Sequence, residues 1–297
     1  MGNGKPAAGR TSDPGLQLLV GSMIIFGTIG IFRRYIPLPS DVLACGRGAV
    51  GGAFLLLFMK GRGLKFASDR ITRRNFLLLV LTGAMIGFNW ILLFEAYRYT
   101  TVAVATLCYY MQPVIVLLLS PIVLKEHINR RQMFFAAMSV FGMILVSGVI
   151  GEAPAGTDNA RGILLGLGAA VLYASVVLLN KQILGVPVYE KTIIQLLSAA
   201  AAMLPYMALT GSMKAYPLST REAVLFAAVC LLHTGIAYAM YFASIEQLPA
   251  RTCALLSYID PVTAVLLSAL LLHEAMTWWG VAGTVLIIGS AILSEMT

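Results

Sequence analysis

The chain has 297 residues, of which 59% are hydrophobic and only 11% charged, with a mean hydropathy of +0.85. A soluble domain carries about a quarter charged residues, so this composition excludes an ordinary water-soluble protein and requires a surface that faces lipid. The net charge of +8 sits in short connecting stretches such as Lys60–Lys65 and Arg70–Arg74, the pattern of a membrane topology signal. Nothing matches a groove-reading motif, and no nucleic-acid partner is expected.

In chain order, residues 1–15 are polar, with Lys5 and Arg10, and read as a disordered cytoplasmic tail. Ten apolar segments follow, at 16–36, 42–59, 76–97, 101–124, 133–150, 162–183, 191–210, 222–244, 252–272 and 277–295. Each is near the ~20 residues that a spanning helix needs. The first ends on Arg33 and Arg34 with no small-residue cleavage site, so it is expected to stay attached as a membrane helix. Only Arg98–Thr100 separates the third segment from the fourth. Pro37, Pro39, Pro187, Pro217 and Pro249 fall in connections. Residues 151–160 form the most loop-like stretch, an extracytoplasmic linker that divides 16–150 from 161–297.

The chain repeats itself. Laying Leu107–Glu126 over Leu255–Glu274, a shift of 148, makes nine of twenty positions identical, among them Tyr110/Tyr258, Pro113/Pro261, Ser120/Ser268 and Glu126/Glu274. Gly15, Gly21 and Phe26 meet Gly162, Gly168 and Tyr173 at a shift of 147. Five helices per copy is odd, so the second copy enters the membrane from the opposite side. The expected fold is an all-α integral membrane protein with ten transmembrane helices, arranged as two inverted five-helix repeats around a central cavity. Such repeats underlie many carriers. Counting Lys and Arg with the N-terminus inside gives fourteen inner against six outer, which places both termini in the cytoplasm. Glycines at i, i+4 (Gly48/Gly52, Gly83/Gly87, Gly162/Gly166) mark faces where helix backbones approach closely. Cys45, Cys108, Cys230 and Cys253 all lie in apolar segments and read as packing residues rather than metal or disulfide ligands.

With its ten helices and its paired proline-containing segments, Ala105–Glu126 and Cys253–Glu274, closing on LKE and LHE, the chain resembles the drug/metabolite transporter superfamily, in its EamA-type ten-helix group. The resemblance spans residues 16–295. It implies a solute cavity formed by helices one, three, four, six, eight and nine, and metabolite cargoes that include amino acids. It marks Glu126 and Glu274 as signature residues, to which physics assigns an anchoring role at helix ends.

Polar groups at membrane depth carry the rest, since each costs several kcal/mol unless paired or facing water. Cys253, Ser257, Asp260 and Ala264 follow i, i+4, i+7, i+11 spacing, one narrow helix face with Asp260 near the midplane. Asp260 either contacts solute or a coupling proton, or it bonds a neighbouring helix or backbone freed by Pro261. Gln112 is its counterpart before Pro113, with Tyr109 on the same face. Proline removes a donor and frees a carbonyl one turn back, here near Tyr109 and Ser257. His233 aligns with Ala237 and Tyr241 and is either a proton relay or a packing residue. Asn89, Trp90 and Tyr173 add polar and aromatic character at similar depth, as lining or as core. Arg47 is expected to pair with Glu95 or to snorkel outward, in a structural or gating role.

No nucleotide-binding loop, metal-ligand spacing or nucleophile elbow is present, so neither an enzyme nor a cofactor nor ATP-driven transport is expected. The expectation is a secondary active transporter in a bacterial inner membrane, monomeric by default, in contact with lipid and a small-molecule solute. It moves small metabolites, amino acids first and by export, through alternating access. A carrier of organic cations or drugs is the rival within this class. An intramembrane enzyme or a non-transporting receptor is the alternative outside it.

Overall fold

The structure is a computed structural model and describes residues 14–66, 71–123, 125, 129–146, 158–245, 247–248, 256–274 and 276–295. The polar tail, most of the central linker, Pro249, Arg251, Cys253 and Glu126 lie outside the described residues. Helices α1 (Pro14–Gly27) and α2 (Ile29–Arg34) form the first span, followed by α3 (Ser40–Gly61) and α4 (Arg73–Tyr99). Next come α5 (Val102–Tyr109), α6 (Gln112–Val123), α7 (Arg130–Val146), α8 (Asn159–Asn180) and α9 (Val188–Thr210). Helix α10 (Thr220–Cys230) continues through a π-helical turn, Leu231–Ile236, into α11 (Ala237–Ile245). Helices α12 (Ile259–Leu271) and α13 (Trp278–Glu295) complete the described chain.

Among the described residues seven spans of 21 to 27 residues are long and apolar enough to cross a membrane, and α12 and Trp278–Ser290 are shorter apolar helices. Each of the ten expected segments contains a described helix, and residues 147–150 and 252–255 of two of them lie outside the described residues. Local chemistry sets these boundaries. Thr72, Thr101 and Asp158 each accept the backbone N–H three residues on, and Ser219 with Glu222 forms a capping box, so the first-turn donors are satisfied. Pro39 and Pro187 sit at N-cap positions, where a missing N–H costs nothing.

The molecule exposes large apolar side chains and buries polar ones within its apolar core. Leu57, Ile122, Leu164 and Leu270 are each more than 65% exposed, while Ser22, Thr82, Thr234 and Ser268 are fully buried. Water would penalise such a surface and hydrocarbon does not. The chain is a multi-pass integral membrane protein.

Two helix pairings recur between the halves. Helix α4 packs on α8 as α11 packs on α1, and α6 packs on α8 as α12 packs on α1. Helices in corresponding places run antiparallel. Along α3 and α9, Asp41 meets Thr210 while Gly52 meets Leu197. Along α7 and α13, Ser139 bonds Ser290 at 2.6 Å while Gly142 faces Gly283. The expected glycine pairs lie at these close approaches: Gly48 and Gly52 face α9, Gly83 and Gly87 face α9 from α4, and Gly162 and Gly166 face Thr100 and Cys108.

The duplicated LKE and LHE ends share one backbone device. Lys125 and His273, which correspond at the shift of 148, have φ of 58° and 52°, a left-handed conformation that costs an L-residue roughly 1–2 kcal/mol. At His273 the turn directs Glu274 inward. Its carboxylate accepts from Arg34 Nη2 at 2.6 Å, from the Val102 N–H at 2.8 Å and from Ser268 Oγ. Arg34 also reaches the Thr100 carbonyl at 3.2 Å. The anchoring role expected of Glu274 is a three-way tie among α2, α5 and α12.

A Cβ at position 142 would lie 2.8 Å from the Gly283 carbonyl oxygen, so one backbone must move to admit a side chain. Gly142→Val should lower the thermal midpoint by the equivalent of about 1–3 kcal/mol of overpacking. Gly289→Ala, with nothing within 4 Å of its added carbon, should leave it unchanged in the same melting experiment.

Candidate functional site

Two helix interruptions create the site. The fourth span breaks after Tyr109 and resumes at Gln112, and the ninth breaks at Ser257 and Tyr258 before Ile259. The eight residues of α5 cover roughly 12 Å at 1.5 Å per residue, which puts the break well inside a hydrocarbon core of about 30 Å. Irregular backbone at that depth is tolerated only where protein or an aqueous cavity surrounds it. A cavity of about 350 Å³ lies there.

Its walls come from both halves. Helices α1, α3, α4, α5 and α6 contribute Phe26, Arg47, Trp90, Thr106 and Gln112, and α8, α11 and α12 contribute Tyr173, Tyr241 and Asp260. Ser257 and Ala264 line it too, so the predicted small and polar face of this segment looks into the cavity. Asp260 Oδ2 accepts from the Tyr110 hydroxyl at 2.6 Å, a bond between the two broken helices. Gln112 Oε1 is buried without a donor. A buried acceptor left in that condition costs about 1–3 kcal/mol, which a bound donor would offset.

The lining is strongly aromatic. Tyr109 stands edge-on to Tyr110 and to Tyr173, with centroids 5.9 and 5.8 Å away, and Phe26 packs on Tyr238 at 5.3 Å. Tyr97 donates to or accepts from Thr106 Oγ1 at 3.3 Å. It also borders a second hollow of about 510 Å³, lined by Arg33, Arg34 and Arg98 at the ends of α2 and α4.

Three expectations need correction. Arg47 does not pair with Glu95, which instead accepts from Ser40 Oγ at 2.5 Å and from Arg98. The Arg47 guanidinium lies 4.1 Å over the Trp90 ring, its Nε donates to Thr234 Oγ1 at 3.0 Å, and it lines the cavity rather than snorkelling outward. His233 is fully buried behind the wall, 2.8 Å from Thr28 Oγ1 and edge-on to Phe32. The π-helical turn is the reason, since it holds more residues per turn than an α-helix and takes His233 off the line through Ala237 and Tyr241. Asn89 donates to the Ala169 carbonyl at 2.6 Å and ties α4 to α8 outside the cavity. Tyr109, Gln112, Trp90, Tyr173, Tyr241, Ser257 and Asp260 are brought together as expected, with Pro113 and Pro261 just past the two breaks.

Sequence reasoning missed Tyr97, Thr106, Tyr110 and Tyr238. Helical spacing from residues already chosen reaches three of them: Tyr97 is seven beyond Trp90, Thr106 three before Tyr109, and Tyr238 three before Tyr241. Tyr110 sits in a break, where periodicity gives no direction.

The sequence model of the EamA-like transporter family matches twice, over residues 13–148 and 160–296. The chain is 28% identical over 249 residues to the "uncharacterized transporter YxxF" of Bacillus subtilis, covering 84% of this chain and 79% of that one. It is 27% identical to "protein PecM" of Dickeya dadantii over 73% of each chain, and 25% identical to an "uncharacterized transporter" of Vibrio cholerae over 90% and 87%. A solved crystal structure superposes with a TM-score of 0.69 at 19% identity, over 95% and 96% of the two chains, a likeness of fold alone. With a duplicated family match that covers nearly its whole length and a cavity between the two halves, this chain belongs to the EamA-like transporter family.

Proposed function

We propose that the protein is a secondary transporter of small metabolites, amino acids first, working in the export direction by alternating access. One observation carries this reading: the two broken helices meet at the central cavity and present Gln112 and Asp260 from corresponding positions of the two halves. Corresponding helices that run antiparallel support two inverted repeats. Such halves can exchange conformations at similar energy. The arginine and lysine count supports cytoplasmic termini, and the bacterial sources of all three relatives support a bacterial inner membrane. One chain's own helices wall the cavity, which supports a monomer.

A second reading, transport of organic cations, rests on Asp260 among the tyrosine rings, which attract cations through their faces. Asp260 is the cavity's acidic group and is the residue assigned a coupling proton. His233 is assigned a structural role, because its ring faces Thr28 and Phe32.

In proteoliposomes loaded with unlabelled amino acids, the wild-type protein should accumulate labelled phenylalanine by counterflow. Asp260→Asn should reduce that rate roughly ten- to hundredfold, the size expected for losing a charge-assisted bond. Counterflow of a quaternary ammonium probe but of no amino acid would transfer the assignment to the cation reading. No counterflow of either class would overturn transport altogether.

Wild-type flux should fall when an ionophore collapses the pH gradient, and residual Asp260→Asn flux should not respond. His233→Gln should lower the melting temperature and leave the phenylalanine Kd unchanged. A lost pH response at unchanged melting temperature would instead make His233 the relay.

A further inference from the structure

Arg47 is a buried cation with no anionic partner among the described residues. It lies seven residues into α3, roughly 10 Å along the axis, and its side chain is 4% exposed. Among the described residues the ion pairs are Arg34–Glu274 and Arg98–Glu95, and neither includes Arg47. What holds it is the Trp90 face, the more distant Phe94 ring at 5.4 Å, and one bond from Nε to Thr234. A cation–π contact contributes about 2 kcal/mol when desolvated, well short of the cost of burying an unpaired charge. Arg47 lines the same cavity as Asp260, one carboxylate oxygen of which accepts from the Tyr110 hydroxyl.

We infer that Arg47 is the carboxylate-binding residue of the solute site, so that the cavity selects zwitterions with an apolar or aromatic remainder over amines and over simple acids. The inference rests on the transport reading and adds to it the group that distinguishes an amino acid from an organic cation. The guanidinium fork takes both oxygens of a carboxylate in its plane, and Trp90 fixes that plane from one face. The solute ammonium goes to Asp260, with Gln112 Oε1 as a further acceptor. The tyrosine rings enclose the remainder. Bound solute supplies the counter-charge that Arg47 lacks and places one charge of each sign beside its complement.

The test uses the purified full-length protein and four probes read by calorimetry and thermal shift: phenylalanine, phenylalaninamide, phenethylamine and 3-phenylpropionate. Wild type should bind phenylalanine roughly ten- to hundredfold more tightly than the two amines that lack a carboxylate, and more tightly than the acid that lacks an ammonium. Arg47→Gln should erase the preference for phenylalanine over phenylalaninamide while retaining amine binding, and Arg47→Lys should restore part of it. Equal wild-type affinity for phenylalanine and phenylalaninamide would overturn the inference without any variant, even if counterflow of phenylalanine proceeds. An Arg47→Gln protein with lowered melting temperature and an unchanged affinity ratio would make the arginine structural. Failure of wild type to bind any of the four, together with absent counterflow, would sink the transport reading itself.

Discussion

A lipid bilayer offers no water to an unpaired backbone group, so a helix crossing it can be interrupted only where the protein brings its own polar surroundings. The breaks at Tyr110–Met111 and Ser257–Tyr258, like the one at Thr28 in the first span, are places among the described residues where the chain uses that allowance. The arrangement around the first two follows from it. The breaks must face each other and a cavity, the halves must meet there, and the polar residues beside them must point inward. The hydroxyl of Tyr110 on the carboxylate of Asp260 ties one break to the other.

The cavity combines charges of both signs with a wall of tyrosines. This mixture is costly in hydrocarbon and has little value as packing. Several buried polar groups elsewhere are locally satisfied: Thr82 bonds its own helix and Gln195, Ser139 bonds Ser290, and Asn75 bonds the Leu184 carbonyl. Among the described residues Gln112 Oε1 lacks a donor, as does Asn89 Oδ1, while Arg33 Nε lacks an acceptor. Arg47 makes no ion pair among them and lines the cavity beside Gln112.

Much of the architecture was legible in the chain because membrane spans are written in length and composition, which need no partner to be read. The repeat was legible because proline, tyrosine and glutamate recur in register. Asp260, Ser257 and Ala264 could be placed on one face by spacing alone. Arg47 could not, since its partners Trp90 and Thr234 lie 43 and 187 residues away in sequence, and no local pattern couples them. His233 was left between two readings, relay and packing, for a different reason. The line through Ala237 and Tyr241 assumes an α-helix, and one π-helical turn is enough to turn its ring to the rear. Asn89 shares a helix with cavity residues but points to α8, a distinction that composition does not make.

The tie at Glu274 has a kinetic corollary. One carboxylate holds Arg34, the first N–H of α5 and Ser268, so the tips of three helices are moored to a single point. The Val102 amide is buried and would be left bare, whereas the Arg34 side chain is 35% exposed and can pass to water. Release of this one carboxylate therefore frees three helix tips together.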